Sequence, residues 1–160
     1  RIWGIDTDID YNFSEKLTSK NQISFLKGID KTNSEPLINM PPLNFKNEIS
    51  YQNSDLNNLI VSIQSDFTFK QNDYPNDNFE VFVPTTGKME LVDISSTPPA
   101  YHLLNLRSSV EFKKEKNLKI KVGLSINNLL NKSYKNYLNR MRNYSHDLGR
   151  NILLNLNLIY

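Results

Sequence analysis

Cysteine is absent from this chain of 160 residues, which excludes disulfide bonds and thiolate metal sites. No run of about 18 apolar residues occurs, so no transmembrane helix is predicted. Charge is nearly balanced, at a formal net +2, and there is no basic run, so nucleic acid is not predicted as a partner. None of these absences excludes a membrane, because a transmembrane β-barrel averages hydrophilic when every second residue faces a wet lumen.

Catalytic motifs are also missing. The two histidines, His102 and His146, have no nucleophile or carboxylate set at a recognisable spacing. There is no glycine-rich phosphate loop and no HExxH pair of zinc ligands. The sequence therefore predicts neither an enzyme nor a bound cofactor.

Seven segments alternate between apolar and polar residues, as β-strands with one apolar face do. They cover about residues 2–13, 18–28, 43–52, 57–70, 101–112, 118–127 and 152–160. The last two are the most regular, with apolar residues at Leu118, Ile120, Val122, Leu124 and Ile126, and at Ile152, Leu154, Leu156, Leu158 and Tyr160. Asn47 interrupts the apolar face of the third segment.

Short and long connections between the segments alternate along the chain. The polar turns "SEKL", "NSDL" and "KKEKN" follow the first, third and fifth segments, and connections of about 14, 30 and 22 residues follow the second, fourth and sixth. Outer-membrane barrels place short turns at the periplasmic end and long loops outside. Most segments run to about ten residues, as tilted membrane strands do, whereas soluble strands average about 5–6. The predicted fold is all-β, a fragment of a transmembrane antiparallel up-and-down β-barrel; a soluble β-sandwich is the alternative.

Two of the long connections are candidates for ligand contact. The 71–100 segment is predicted to be an extracellular loop with a small hairpin, "FEVFV" and "KMELVDI", around Pro84–Gly87. In the 128–149 loop, apolar residues at helical spacing predict an amphipathic turn: Tyr134, Tyr137, Leu138, Met141 and Tyr144. This loop either packs on the barrel rim or contacts ligand through Arg140, Arg142, Tyr144 and His146.

The ligand chemistry of those residues leaves several cargoes open. Arginine's fixed fork of donors suits an anionic iron chelate. Tyr, His and Met side chains would suit haem or copper, but Met40, Met89 and Met141 are too few and too scattered to support copper. Asp6, Asp8 and Asp10 share one strand face and either bind Ca²⁺ or form a solvated lumen wall.

The final stretch, "INNLLNKSYKNYLNRMRNYSHDLGRNILLNLNLIY", resembles the closing segment of TonB-dependent outer-membrane receptors. In that family an Asn-Leu-Leu/Phe-Asn/Asp-x-x-Tyr run is followed by a loop, then by Gly-Arg entering a last strand that ends on an aromatic residue. The matching positions are Asn128, Leu129, Leu130, Asn131, Tyr134, Gly149, Arg150 and Tyr160. "PLINMPPLNFKNEISY" and "YHLLNLRSSVEF" are similar to the family's barrel strands. "RIWGIDTDIDYNFSEKLTSKNQISFLKG" resembles the stretch that usually reads Gly-x-Glu before an amphipathic strand, and Asp6 stands in the acidic place here.

The resemblance implies that residues 1–160 are the C-terminal portion of the barrel, with about seven strands of about 22, and that the plug domain and earlier strands are absent. It implies an outer-membrane receptor segment in a Gram-negative envelope, with a periplasmic C-terminus, for TonB-dependent uptake of a ferric siderophore or haem. The expected partners are the TonB complex, the outer-membrane assembly machinery, the lipid bilayer and a small-molecule metal chelate. Tyr160 is either the assembly signal or an interfacial anchor. A non-transport barrel, such as an adhesin or assembly protein, is the other membrane alternative.

Overall fold

The computed structural model describes residues 1–113 and 118–159. Over those residues the chain forms β-strands joined by turns and loops. The strands are β1 (Ile2–Asn12), β2 (Leu17–Asp30), β3 (Glu35–Pro36), β4 (Asn44–Asn53), β5 (Leu59–Thr68), β6 (Phe79–Val83), β7 (Lys88–Val92), β8 (Tyr101–Lys113), β9 (Lys119–Asn127) and β10 (Asn151–Ile159). Among the described residues, no helix is long and apolar enough to span a membrane.

One antiparallel sheet contains the seven long strands in the order β1-β2-β4-β5-β8-β9-β10, with the two-residue β3 paired to β2. Each long strand pairs with the next long strand along the chain, which is an up-and-down meander. The seven alternating segments of the sequence correspond to these seven strands within a few residues at each end. The prediction of an all-β antiparallel sheet is therefore confirmed.

The alternation of the sequence divides the sheet into two faces. The register pairs Phe45 with Phe67 and Ile63 with Leu106 on what we call the outer face. It pairs Glu48 with Gln64 on the opposite, inner face. Residues paired across neighbouring strands lie on the same face of the sheet, whereas consecutive residues of one strand lie on opposite faces. The outer face is consequently apolar along most strands, and the inner face is polar.

The sheet is a single layer without a packed core. Tyr137 is the one apolar residue classed as buried among the described residues, and it lies in a loop rather than in the sheet. Outer-face residues remain open, for example Ile63 at 40% and Leu154 at 74% exposed. The soluble sandwich would bury such side chains against a second sheet, and the described residues contain no such layer. An apolar face of this extent requires a membrane or a partner to cover it.

Short turns join the strands at one end of the sheet. In the first turn the Ser14 hydroxyl accepts hydrogen bonds from the Lys16 and Leu17 amides at 3.2 and 3.1 Å. In the second, Asn57 and Asn58 adopt positive φ angles of 55° and 51°, which asparagine tolerates better than most residues. The predicted turn "KKEKN" extends over 114–117, outside the described residues.

The opposite end carries three long loops: 31–43 (the first long loop), 69–100 (the second) and 128–150 (the third). The second contains the β6–β7 hairpin, which confirms the sequence-based prediction. Its turn closes with Gly87 at φ +66°, where the amide of Gly87 donates to the Val83 carbonyl at 2.9 Å. Because the meander returns each strand to the same end, all three long loops emerge side by side.

Candidate ligand-binding site in the long loops

The first and second long loops are tied together by Gln71. Its side-chain amide donates to the carbonyl oxygen of Met40 at 2.8 Å, and its backbone carbonyl accepts from the Thr97 hydroxyl at 2.7 Å. Lys27, near the end of β2, forms an ion pair with Asp73 at 2.8 Å. These contacts fix the start and the end of the second long loop above the sheet.

Side chains also shape the base of the β6–β7 hairpin. The Asn78 side-chain oxygen accepts from the amides of Ile94 and Ser95, both at 3.0 Å, and the Ser95 hydroxyl accepts from the Asp77 amide at 2.6 Å. The Ser96 amide donates to the Asp93 carboxylate and lowers the pKa of Asp93 below its ordinary value. These bonds bring Asp77, Ile94 and Ser95 together at the foot of the hairpin.

The third long loop is anchored by Asn128, which is 3% exposed and has a φ of 53°. Its side-chain oxygen accepts from the Lys132 amide at 2.8 Å, and its Nδ2 donates to the Lys132 carbonyl at 2.8 Å and the Leu148 carbonyl at 3.4 Å. Its backbone amide donates to the Asn105 side chain of β8 at 2.9 Å. Asn128 therefore joins both ends of the loop to the sheet.

The other members of the closing motif act around this anchor. The Asn131 side-chain oxygen accepts from the Arg150 amide at 2.9 Å, and a β-carbon on Gly149 would come within 2.9 Å of the same oxygen. The Leu129 amide donates to the Leu104 carbonyl at 2.7 Å. Leu130, by contrast, is 62% exposed. The motif thus closes the base of the loop.

Tyr134 and Asp147 organise the body of the third long loop. The Tyr134 ring packs on Tyr101 of β8 with ring centroids 4.6 Å apart, and burial raises the pKa of Tyr134 above its ordinary value. The Asp147 carboxylate accepts from the Asn136 amide at 2.6 Å and from the Asn139 side chain at 2.8 Å. The loop is therefore shaped by polar contacts across its own base.

The amphipathic turn predicted between residues 134 and 144 takes a different form. The segment contains successive turns rather than a helix, with amides three residues on donating to the carbonyls of Asn136, Asn139 and Met141. Tyr137 is 4% exposed and Tyr144 is 83% exposed, so the apolar residues do not share a buried face. Rim packing is thus confined to a few side chains, chiefly Tyr134 and Tyr137.

A cavity of about 270 Å³ lies where the three long loops meet. The first loop contributes Ile38 and Asn39; the second Tyr74, Pro75, Asp77, Ile94 and Ser95; the third Tyr137, Arg140, Arg142, Asn143 and Tyr144. Three of the four predicted ligand-contact residues therefore come together here: Arg140, Arg142 and Tyr144. His146 is exposed and is not among the lining residues.

Arg142 is the central cation of this cavity. Its guanidinium carbon lies 4.9 Å from the centroid of the Tyr137 ring, a cation–π distance. Its Nη2 donates to the Ile94 carbonyl at 3.3 Å, which connects the second and third long loops. Its Nε is buried and has no hydrogen-bond partner among the described residues. A buried N–H without an acceptor is costly.

Sequence reasoning missed the contribution of Tyr74, Asp77 and Ile94. The 71–100 segment is recognisable as a long loop, but nothing in its composition shows which of its residues approach Arg142. The signal that existed was indirect: asparagine and aspartate, which favour turns, cluster over residues 72–78 and recur at Asp93, on either side of the hairpin. Which side chains of the loop line the cavity becomes apparent only from the folded structure, where the three loops come together.

The inner face contains the three aspartates of β1. Asp8 and Asp10 line a shallow cavity of about 310 Å³ with Lys20, Lys46 and Glu48. Asp10 lies opposite Lys20 in the register. In the part of the chain that the structure describes, no three His, Asp or Glu side chains are grouped so that they could hold a metal ion. Asp8 and Asp10 therefore lie beside lysines in a wall of mixed charge, the arrangement expected of the lumen-wall alternative.

Comparisons with known proteins bear on this geometry. A family model described as "TonB dependent receptor-like, beta-barrel" matches residues 1–129. A solved structure, the copper transporter OprC, superposes with a TM-score of 0.76 and 14% sequence identity, over 100% of this chain and 24% of its own length. No curated protein sequence matches the chain. At that identity the transporter shows the fold alone, and the family model, which covers most of the chain, shows that it belongs to the TonB-dependent receptor-like β-barrel family, whose barrels lie in the outer membrane.

Proposed function

We propose that this chain is the C-terminal part of the barrel of an outer-membrane receptor that takes up an anionic iron complex, a ferric siderophore or haem, with energy supplied through TonB. Family membership supports the receptor role, since the matching family consists of receptors rather than enzymes. The two arginines that line the loop cavity, Arg140 and Arg142, support an anionic ligand. The copper transporter's cargo is not carried over, because 14% identity conveys the fold only.

The orientation and partners form part of the same proposal. The long loops face the cell exterior and the short turns face the periplasm, the arrangement that outer-membrane barrels share. TonB acts on a plug domain that lies outside residues 1–160. Tyr160, which is outside the described residues, is the aromatic residue read by the outer-membrane assembly machinery. The chain spans 24% of the length of the transporter it resembles, which leaves room for a plug and further strands in a protein of that size.

Arg140, Arg142 and Tyr144 are the proposed contacts with the complex. Arg142 presents a preoriented guanidinium because Tyr137 and the Ile94 carbonyl already hold it. Arg140 adds a second positive charge at the exposed side of the same cavity. With Asp77 the single carboxylate in the lining, two arginines leave the cavity with a net positive charge, which favours a ligand that carries anionic oxygens.

Uptake of labelled metal by cells that express the full receptor tests the proposal. The probes are iron-55 as ferric citrate, as a ferric tris-catecholate complex and as haemin, with copper-64 as the competing cargo. We expect at least one iron probe to accumulate, and a protonophore that removes the energy for TonB to abolish that accumulation. Accumulation of copper with none of the iron probes would overturn the cargo, and uptake that survives the protonophore would overturn TonB dependence.

Replacing Arg142 with glutamine is expected to weaken binding of the transported iron complex about ten- to a hundredfold, since hydrogen bonds to a charged group contribute about 1.5–3 kcal/mol. The matched control is Arg150→Gln, which removes the same charge from an exposed residue outside the cavity. The dissociation constant is measured on the purified receptor by fluorescence quenching. Equal losses in the two variants would show that Arg142 does not contact the complex.

A further inference from the structure

The loop cavity has more aromatic surface than a site for a simple anion needs. Three of its twelve lining residues are tyrosines: Tyr74 from the second long loop, and Tyr137 and Tyr144 from the third. Anionic oxygens are bound by charged and polar donors, and rings are not required for that. The tyrosines therefore point to a further property of the ligand.

Two of these three rings have no stacking partner in the described part of the chain. The Tyr137 ring is covered by the guanidinium of Arg142, and Tyr134, which is not in the lining, packs on a ring of β8. Tyr74 and Tyr144 stack on no described aromatic ring. Tyr144 is 83% exposed at the cavity. Both rings are therefore free to stack on an aromatic group of a ligand, with centroids about 4.5–7 Å apart.

Positive charge lies next to those rings. Arg140 and Arg142 line the cavity with one carboxylate, Asp77, so the net charge of the lining is positive. Arg142 lies over Tyr137 at 4.9 Å, which presents a cation and a ring together. An aromatic group with anionic oxygens satisfies both features, because its face stacks on tyrosine or arginine and its oxygens accept from the guanidinium groups.

The size of the cavity limits how much of an iron complex enters it. Its volume of about 270 Å³ is below the roughly 300–1,000 Å³ of pockets that enclose a whole drug-sized molecule. A space of that size suits one aromatic arm of a complex, with the metal outside the cavity. Haem fits less well, because it joins four pyrrole rings in one plane and takes axial ligands such as histidine, whereas His146 is not a lining residue.

We propose that the loop cavity binds an aryl arm, a catecholate or phenolate, of the ferric complex. The cargo is then an aryl siderophore rather than ferric citrate, a ferric hydroxamate or haem. This inference rests on the proposed function, because it takes the cargo to be an iron complex and specifies its class. Citrate offers anionic oxygens without a ring, and a ferric trihydroxamate has no net charge. The aryl arm uses both the tyrosine rings and the arginines.

Equilibrium binding of iron-55 complexes to the purified full receptor separates the ring from the charge. Ferric tris-catecholate is anionic and aromatic, ferric citrate is anionic without a ring, ferric tris(benzohydroxamate) is aromatic and uncharged, and ferric tris(acetohydroxamate) has neither property; haemin is the remaining probe. We expect the tris-catecholate to bind at least about tenfold more tightly than every other probe. Another iron probe that binds as tightly would overturn the aryl class and leave the proposed function standing. Binding of none of the iron probes would overturn both.

Tyr144→Leu tests the stacking contact directly, because a side chain that is 83% exposed can be replaced without disturbing the packing of the loop. The quantity measured is the dissociation constant of ferric citrate divided by that of ferric tris-catecholate. This ratio is expected to fall about two- to tenfold. Tyr144→Phe keeps the ring and should retain the ratio of the unmodified receptor, and Tyr74→Leu combined with Tyr144→Leu should lower it further. An unchanged ratio in the double variant would overturn the proposal.

Discussion

Replacing Asn128 with leucine is expected to destabilise the base of the third long loop by about 2–5 kcal/mol, the largest effect in that loop. Two causes add. Leucine at φ 53° is strained by about 1–2 kcal/mol. The amide and carbonyl of Lys132 also lose their Asn128 partner, at a net cost of about 0.5–1.5 kcal/mol for each hydrogen bond.

Hydrogen exchange at the amides of Lys132 and Arg150 measures this effect in the full receptor. Local opening should become at least about thirtyfold more frequent at both positions, because about 1.4 kcal/mol corresponds to a factor of ten. Asn128→Gly is the matched control: it accepts the positive φ but lacks the hydrogen bonds, so an intermediate increase is expected. Exchange in the leucine variant that matches the unmodified receptor would refute the anchoring role.

Replacing Ile63 with lysine is expected to destabilise the barrel by about 2–4 kcal/mol, the cost of a lysine that faces lipid near mid-bilayer. Its neighbour provides the control. Gln64 points to the inner face, where the register places it between Glu48 and Asn105. Gln64→Lys therefore puts the same charge in a wet environment beside a carboxylate, and a change of less than about 1 kcal/mol is expected.

Urea-induced unfolding of the receptor in lipid vesicles measures both variants against the unmodified protein. The prediction is a difference in unfolding free energy between lysine at position 63 and lysine at position 64. If lysine destabilised strand β5 at any position, the two variants would be equally affected and this difference would not appear. A cost for Gln64→Lys as large as that for Ile63→Lys would mean that the faces are assigned the wrong way round or that neither face meets lipid.

The strands were predictable because two different solvents act on the two faces of one sheet. Water in the lumen and lipid outside impose opposite requirements on alternate residues, and β9 shows this clearly from Ile120 to Ile126. Strand β2 was the weakest prediction, and Ser19 and Asn21 account for that. They are outer-face residues whose polarity is satisfied by each other and by Asn47, a cross-strand relationship that one strand cannot reveal.

The third long loop shows where sequence reasoning failed. Helical spacing suggested one amphipathic turn, but the side chains of Asn136 and Asn139 accept from the amides of Leu138 and Met141. Such local bonds compete with helical ones and favour turns. The arginines became candidates because of their chemistry, and the structure places both of them at one cavity. Their connection to Ile94 depends on contact between two loops about 50 residues apart in sequence.

Strand β5 offers the most direct test of the central claim that this sheet is a wall between lipid and water. Spin labels are placed singly at residues 59–68 of the full receptor in lipid bilayers, and collision with oxygen and with a water-soluble nickel chelate is recorded at each. Oxygen, which dissolves in lipid, should be favoured at odd-numbered positions such as Ile63, and the nickel chelate at even-numbered positions such as Gln64. Accessibilities that rise and fall together along the strand would contradict the account, because they would mean that both faces meet the same solvent.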